Sequence, residues 1–64
     1  MDENKEIKTR RFTRAHEQGE ADIFIKANGS KILEVEYIRT KGYISENVLD
    51  HAIKTAIGVI KNDQ

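Results

Sequence analysis

The chain has 64 residues and a mass of 7.3 kDa, which limits it to one small domain spanning residues 1–64. Hydrophobic residues make up 38% and charged residues 34%, a balance that favours a compact domain over a disordered chain. The 11 basic and 11 acidic side chains cancel, so net charge creates no attraction to nucleic acid or to anionic membranes.

The chain contains no cysteine, which excludes disulfides and thiolate metal sites. A domain this small is marginally stable without such supports, so we expect a homodimer. No apolar run approaches the length of about 18 residues that a membrane span needs. The acidic start Met1-Asp2-Glu3 is unlike a signal peptide, and we expect a cytoplasmic protein.

The first third of the chain predicts a strand. Residues 1–4 are polar and are expected to be disordered. The stretch Glu6–Ala15 alternates weakly and lacks helical periodicity, which favours a strand. A turn is expected over His16–Glu20, with Gly19 as its breaker.

Two alternating apolar and polar runs, Ala21–Lys26 and Lys31–Arg39, flank an Asn-Gly pair, which is a hairpin signature. One face of the hairpin is expected to collect its apolar side chains, which are Ala21, Ile23, Ile25, Leu33, Val35 and Tyr37. The opposite face is expected to be mostly solvated, with Phe24 beside Ile32 among Asp22, Lys26, Glu34 and Glu36.

The register of this hairpin depends on its loop length. A two-residue Asn28-Gly29 loop would place Glu34 opposite Ile23, a carboxylate against a core side chain. We therefore predict a three-residue turn, Ala27–Gly29, with a left-handed glycine and a G1 bulge. It would pair Ile23 with Leu33 and Ala21 with Val35.

From Ser45 onward the periodicity becomes helical. Ser45 suits the N-cap, Ile44 can pack onto Leu49, and Glu46 and Asp50 lie where the helix dipole favours negative charge. The apolar positions fill about half of the helix circumference, and they are Val48, Leu49, Ala52, Ile53, Ala56, Ile57, Val59 and Ile60.

These elements predict an α+β fold, a three-stranded antiparallel β-meander followed by one C-terminal amphipathic helix (β-β-β-α). The apolar arc of the helix is wider than one sheet face usually covers, so either a curved sheet wraps it or a second subunit contacts it. Ile53, Ile57 and Tyr43 are the candidate interface residues.

The best functional candidate is a basic cluster in the first strand, with a charge of +4 over residues 8–14. Its members are Lys8, Arg10, Arg11, Phe12 and Arg14. Guanidinium groups bind phosphates bidentately, and an aromatic ring can stack on an exposed base. The alternative is that Phe12 belongs to the core and its charged neighbours are solvated or paired across the sheet.

No catalytic, cofactor or metal motif accompanies this cluster, and we expect a protein that is not an enzyme and binds no cofactor. The segment beginning His16-Glu17 resembles the start of a helical zinc motif but lacks its second histidine. Asp50 and His51 are adjacent on the helix, so their side chains point about 100° apart, and no nucleophile lies nearby.

Two functions remain open at this point. The first is a small, dimeric regulatory protein that contacts nucleic acid through its basic first strand. The second is a protein-binding module, such as an inhibitor, an antitoxin-like partner or a phage accessory factor. It would act through an open sheet edge or the apolar helix face.

Overall fold

The computed structural model describes residues 7–62, which form a three-stranded sheet and one helix. The elements are β1 (Ile7–His16), β2 (Gly19–Asn28), β3 (Lys31–Lys41) and α1 (Glu46–Asn62). Both strand pairs are antiparallel and the strand order is β1-β2-β3, so the predicted meander with a C-terminal helix is confirmed. Residues 1–4, predicted to be disordered, and Glu6, predicted to begin the first strand, lie outside the described residues.

The first turn is shorter than predicted. His16 pairs with Gly19, so only Glu17 and Gln18 connect the strands, and Gly19 opens β2 instead of breaking the chain. Glu17 takes the left-handed conformation, with φ 56. Gly19 is required for a steric reason, because a Cβ at this position would lie 2.3 Å from the carbonyl oxygen of Tyr43.

The second turn is also a two-residue connection, over Gly29 and Ser30, between the paired Asn28 and Lys31. Gly29 has φ 65, and this positive angle at the first central position is typical of a type II′ hairpin turn. The predicted three-residue turn over Ala27–Gly29 is therefore wrong.

The predicted pairings of Ile23 with Leu33 and of Ala21 with Val35 are wrong as well. Ile23 lies opposite Tyr37 and Ala21 lies opposite Arg39. The register shifts between Lys26 and Ala27, and again between Glu20 and Ala21, leaving Leu33 and Thr40 as the extra residues of β3. The observed two-residue turn alone would place Glu34 opposite Ile25. The bulge at Leu33, and not a longer turn, moves Glu34 away from that position, and Glu34 pairs with Lys26 instead.

This bulge changes which side chains of β3 face the helix. Ile32 lies opposite Ala27 and packs against the core, whereas Leu33 is 43% exposed. Phe24 pairs with Glu36, so the predicted neighbourhood of Phe24 and Ile32 is wrong. The rest of that outer face carries the predicted polar side chains.

The core lies between β2 and the helix. Alternate residues of β2 are buried, as are residues on one stripe of α1 and Ile44 before it; together they are Ala21, Ile23, Ile25, Ala27, Ile44, Leu49, Ala52, Ala56 and Ile60. Phe12 from β1 and Val35 from β3 pack against its margins. The central strand therefore supplies the sheet's share of the buried core, and the two edge strands flank it.

The helix begins as its sequence predicts. The Ser45 hydroxyl oxygen accepts a hydrogen bond of 3.3 Å from the Val48 amide, and the Ser45 carbonyl accepts one of 3.0 Å from the Leu49 amide. Ile44 and Leu49 share a small buried cluster with Ala21, which is the predicted hydrophobic staple. Among the described residues, no helix has the length and apolarity needed to cross a membrane.

Candidate nucleic-acid interface

The basic cluster lies on β1, an edge strand whose side chains alternate between the two faces of the sheet. Arg10, Phe12 and Arg14 lie opposite buried residues of β2, as does Lys8, so all four are on the face that the helix covers. Arg11 lies opposite Phe24 and is on the other face. Four of the five predicted site residues therefore lie on the helix-covered face of the sheet, and Arg11 lies on the opposite face.

Phe12 connects this set to the core. It is partly buried and packs against the main hydrophobic cluster. The guanidinium carbon of Arg10 lies 5.4 Å from the centroid of the Phe12 ring, within cation–π range. This contact agrees with the core interpretation of Phe12 and gives Arg10 a fixed position above the strand.

Arg11 has a different environment on the outer face. Its Nη1 atom lies 4.0 Å from Oδ2 of Asp22, and the side chain is 66% exposed. Thr13 donates a hydrogen bond of 3.0 Å from its hydroxyl to Oδ1 of the same carboxylate. Such an exposed, long ion pair contributes little stability, but it places a negative charge beside Arg11.

The two sides of the helix differ in charge. A groove of about 360 Å³ between β3 and α1 is lined by Tyr37, Glu46, Asn47, Leu49, Asp50 and Ile53, so the acidic residues of the helix face β3. At about 100° per residue, the opposite flank, which faces β1, carries Val48, His51, Thr55 and Val59. Within Glu46–Asn62, therefore, no carboxylate lies on the helix flank that faces the basic strand.

The cations of this surface lie along one face of β1, with Lys8 and Arg10 two residues apart and Arg10 and Arg14 four residues apart. Lys8 and Arg14 are exposed, Arg10 is partly buried, and within residues 7–62 neither Lys8 nor Arg14 forms an ion pair with a carboxylate. Same-face neighbours in a strand are about 6.7 Å apart, so Lys8 and Arg14 span about 20 Å. We call the surface formed by Lys8, Arg10 and Arg14 the basic edge.

The three predicted interface residues are not brought together. Ile53 and Ile57 are partly buried and pack against the main core cluster. Tyr43 is 69% exposed and lies in the connection before the helix. The guanidinium carbon of Arg39 is 4.9 Å from the Tyr43 ring centroid and 5.6 Å from that of Tyr37.

Arg39 is a residue that sequence reasoning missed. Its only sequence signal is the alternation that places Tyr37 and Arg39 on the same face of one strand. Nothing in the sequence shows that Tyr43 also comes within cation–π distance of the guanidinium. This cluster of two rings and one cation, which we call the Arg39 stack, lies on the β3 side of the sheet, away from the basic edge.

The other histidines and carboxylates do not assemble into a reactive site. His16 ends β1 and Glu17 occupies the turn. Asp50 pairs with Lys54 at 3.4 Å. Among residues 7–62, no three histidine, aspartate or glutamate side chains come together as metal ligands would.

Comparison with known proteins adds no further constraint. No family model, curated protein or solved structure matches this chain.

Proposed function

We propose that this protein is a small, non-enzymatic regulator, dimeric in solution, that binds nucleic acid through the basic edge. The observation that carries the proposal is the position of Lys8, Arg10 and Arg14 on one face of an edge strand, beside a flank of the helix on which residues 46–62 place no carboxylate. Lys and Arg side chains aligned in this way match the phosphates of a polynucleotide backbone.

The stack of Arg10 on Phe12 supports this assignment, because a guanidinium whose position is fixed loses less conformational entropy on binding than a freely rotating side chain. The spacing supports it further, since Lys8 and Arg10 are adjacent on this face and can contact neighbouring phosphates, and Arg14, four residues beyond Arg10, can contact a phosphate further along the same backbone. Phe12 itself supplies a support for Arg10 and needs no contact with a base.

The test is binding of labelled duplex and single-stranded oligonucleotides, followed by fluorescence anisotropy over a range of salt concentrations. Three phosphate contacts per chain predict a slope of log affinity against log salt of about −2.7 for duplex and about −2.1 for a single strand. Absence of binding to both at low salt would refute the proposal.

Two matched variants distinguish binding through the basic edge from binding that depends only on the total charge of the strand. Arg14→Gln and Arg11→Gln remove the same charge from the same strand, but only Arg14 belongs to the basic edge. Arg14→Gln should reduce the duplex salt slope by about 0.9, and Arg11→Gln should leave it nearly unchanged. Equal effects of both variants would show that binding does not distinguish the two faces.

A second candidate function is binding of a protein target, and the groove between β3 and the helix favours it. Tyr37, Leu49 and Ile53 line this groove together with Glu46 and Asp50, a combination suited to a segment with apolar and basic side chains. A purified target whose binding is lost in Asp50→Lys and retained in Arg14→Gln would support this candidate.

A further inference from the structure

Within residues 7–62, no strand pairs with the outer edge of β1 or of β3, and small proteins commonly cover or pair such edges. The radius of gyration is 13.0 Å, against about 11 Å expected for a compact chain of this length. The principal extents of 46 × 17 × 14 Å show the same elongation. An elongated sheet with two free edges is suited to pairing with a second copy.

The β1 edge is poorly suited to pairing with itself. It carries four cations and no carboxylate from Ile7 to His16. A two-fold axis perpendicular to the sheet pairs residues of the same face, and centres at residues 8 to 12 all place cations opposite each other. For example, a centre at Phe12 places Arg10 opposite Arg14. A centre at Thr13 avoids directly opposed cations but still brings Arg10, Arg11 and Arg14 of both copies into one strand pair. Like charges destabilise a strand pair, so the β1 edge is less suited to self-association than an edge with charges of both signs.

The β3 edge has the opposite character. It carries charges of both signs and three exposed apolar side chains, Leu33, Tyr37 and Ile38, which are 43%, 40% and 56% exposed. Bulges at Leu33 and Thr40 bound a regular segment, Glu34–Arg39, that can pair without interruption. This edge offers both apolar area and backbone hydrogen-bonding groups.

The charges of this segment select a register. A two-fold axis at Glu36 places that residue opposite its own copy, and one at Val35 places Glu34 opposite Glu36. An axis at Tyr37 places Glu36 opposite Ile38 and Val35 opposite Arg39, with no like charges facing each other. Of the axes within Glu34–Arg39 that place no like charges opposite each other, the axis at Tyr37 pairs the most residues of this segment.

We infer that two copies of this chain pair antiparallel through β3, with the two-fold axis at Tyr37, to form a continuous six-stranded sheet. The two basic edges then lie at the outer margins, five strand spacings or about 24 Å apart, and both helices cover the same face. This inference rests on the dimeric state in the proposed function but is independent of nucleic-acid binding.

A charge-swap series tests the register by sedimentation equilibrium. Ile38→Glu places a carboxylate opposite the partner's Glu36 twice per dimer and should weaken the dimer by about 2- to 30-fold, whereas Ile38→Lys should not weaken it. The double variant Glu36→Lys with Ile38→Glu should restore the affinity. Because Asp22 lies opposite Ile38 in the same chain, circular dichroism must show each variant folded.

Cysteine cross-linking provides an independent measurement, since the chain has no native cysteine. Oxidised Tyr37→Cys should form a covalent dimer, whereas Thr13→Cys, an exposed residue on β1, should not. Faster cross-linking of Thr13→Cys, a monomer at all concentrations, or no rescue in the double variant would overturn the inference. Species growing beyond two copies would indicate head-to-tail pairing of β1 with β3 instead. If the dimer forms but oligonucleotides do not bind, only the proposed function fails.

Discussion

The Nε–H group of Arg39 donates a hydrogen bond of 2.9 Å to the carbonyl oxygen of Ile44, which ties the end of β3 to the residue just before the helix cap. Ile44 is buried beneath this contact, with 1% of its surface exposed. The bond therefore fixes the angle at which the chain leaves the sheet and enters α1.

Arg39→Lys keeps the charge but removes the planar group that makes this bond and stacks on two tyrosines. We expect the free energy of unfolding to fall by about 1.5–3 kcal/mol, the range for a hydrogen bond that involves a charged group. Urea denaturation measures it, with Lys31→Arg, at an exposed position, as the control. An unchanged midpoint for Arg39→Lys would show that the contact contributes nothing.

Two glycines should respond in opposite directions to the same substitution. Gly58→Ala places a methyl group where no atom lies within 4 Å, so the better helix propensity of alanine should stabilise the protein by about 0.5–1 kcal/mol. Gly19→Ala drives its methyl group into the Tyr43 backbone and should destabilise by about 1–3 kcal/mol. Thermal unfolding of both variants tests the pair, and shifts of the same sign would contradict it.

Removal of the helix cap should be measurable. Ser45→Ala deletes the hydroxyl oxygen that accepts from the Val48 amide, and we expect a loss of about 1 kcal/mol in the free energy of unfolding. Ser30→Ala, in an exposed turn, is the matched control and should change stability by less than about 0.5 kcal/mol. Equal losses in the two variants would argue against the cap.

The first turn stores backbone strain at Glu17, whose φ of 56 is unfavourable for a side chain with a Cβ. Glu17→Gly removes that penalty of about 1–2 kcal/mol but increases the entropy of the unfolded chain, so we expect a net gain near 0.5 kcal/mol. Gln18→Gly has no such strain to relieve and should destabilise. Chemical denaturation of both variants decides, and a loss in Glu17→Gly would refute the assignment.

The fold was accessible from the sequence where local signals agreed. Ser45 as a cap, Ile44 beside Leu49 and the helical period predicted α1 correctly, because each depends on residues close in the chain. The alternation of Ala21, Ile23 and Ile25 likewise predicted the buried face of β2.

The register was not accessible, because a bulge leaves no clear local signature. Leu33 and Ile32 are adjacent apolar residues, and either could face the core. The alternation rule chose Leu33, whereas the structure inserts one residue and turns Ile32 inward. That choice depends on packing against Ala27 from another strand, which a single strand's pattern does not encode.

The candidate site was predicted in part for a similar reason. Strand alternation placed Lys8, Arg10, Phe12 and Arg14 together on one face, as the structure has them. The same alternation separates Arg11, whose carboxylate neighbour Asp22 comes from the adjacent strand. The Arg39 stack was missed because Tyr43 reaches it through a bend in the chain.

The unequal flanks of the helix give a neutral protein an uneven distribution of charge. In the dimer paired through β3, Glu46 and Asp50 lie toward the two-fold axis and the two basic edges lie at the outer margins, so the field of the dimer attracts a polyanion at its margins and repels it at its centre. The dimer would therefore meet a polyanion with one of its margins first. This alignment fades as salt shortens the screening length from about 30 Å at 0.01 M to about 10 Å at 0.1 M, so the rate of encounter, and not only the strength of the final complex, should depend on ionic strength.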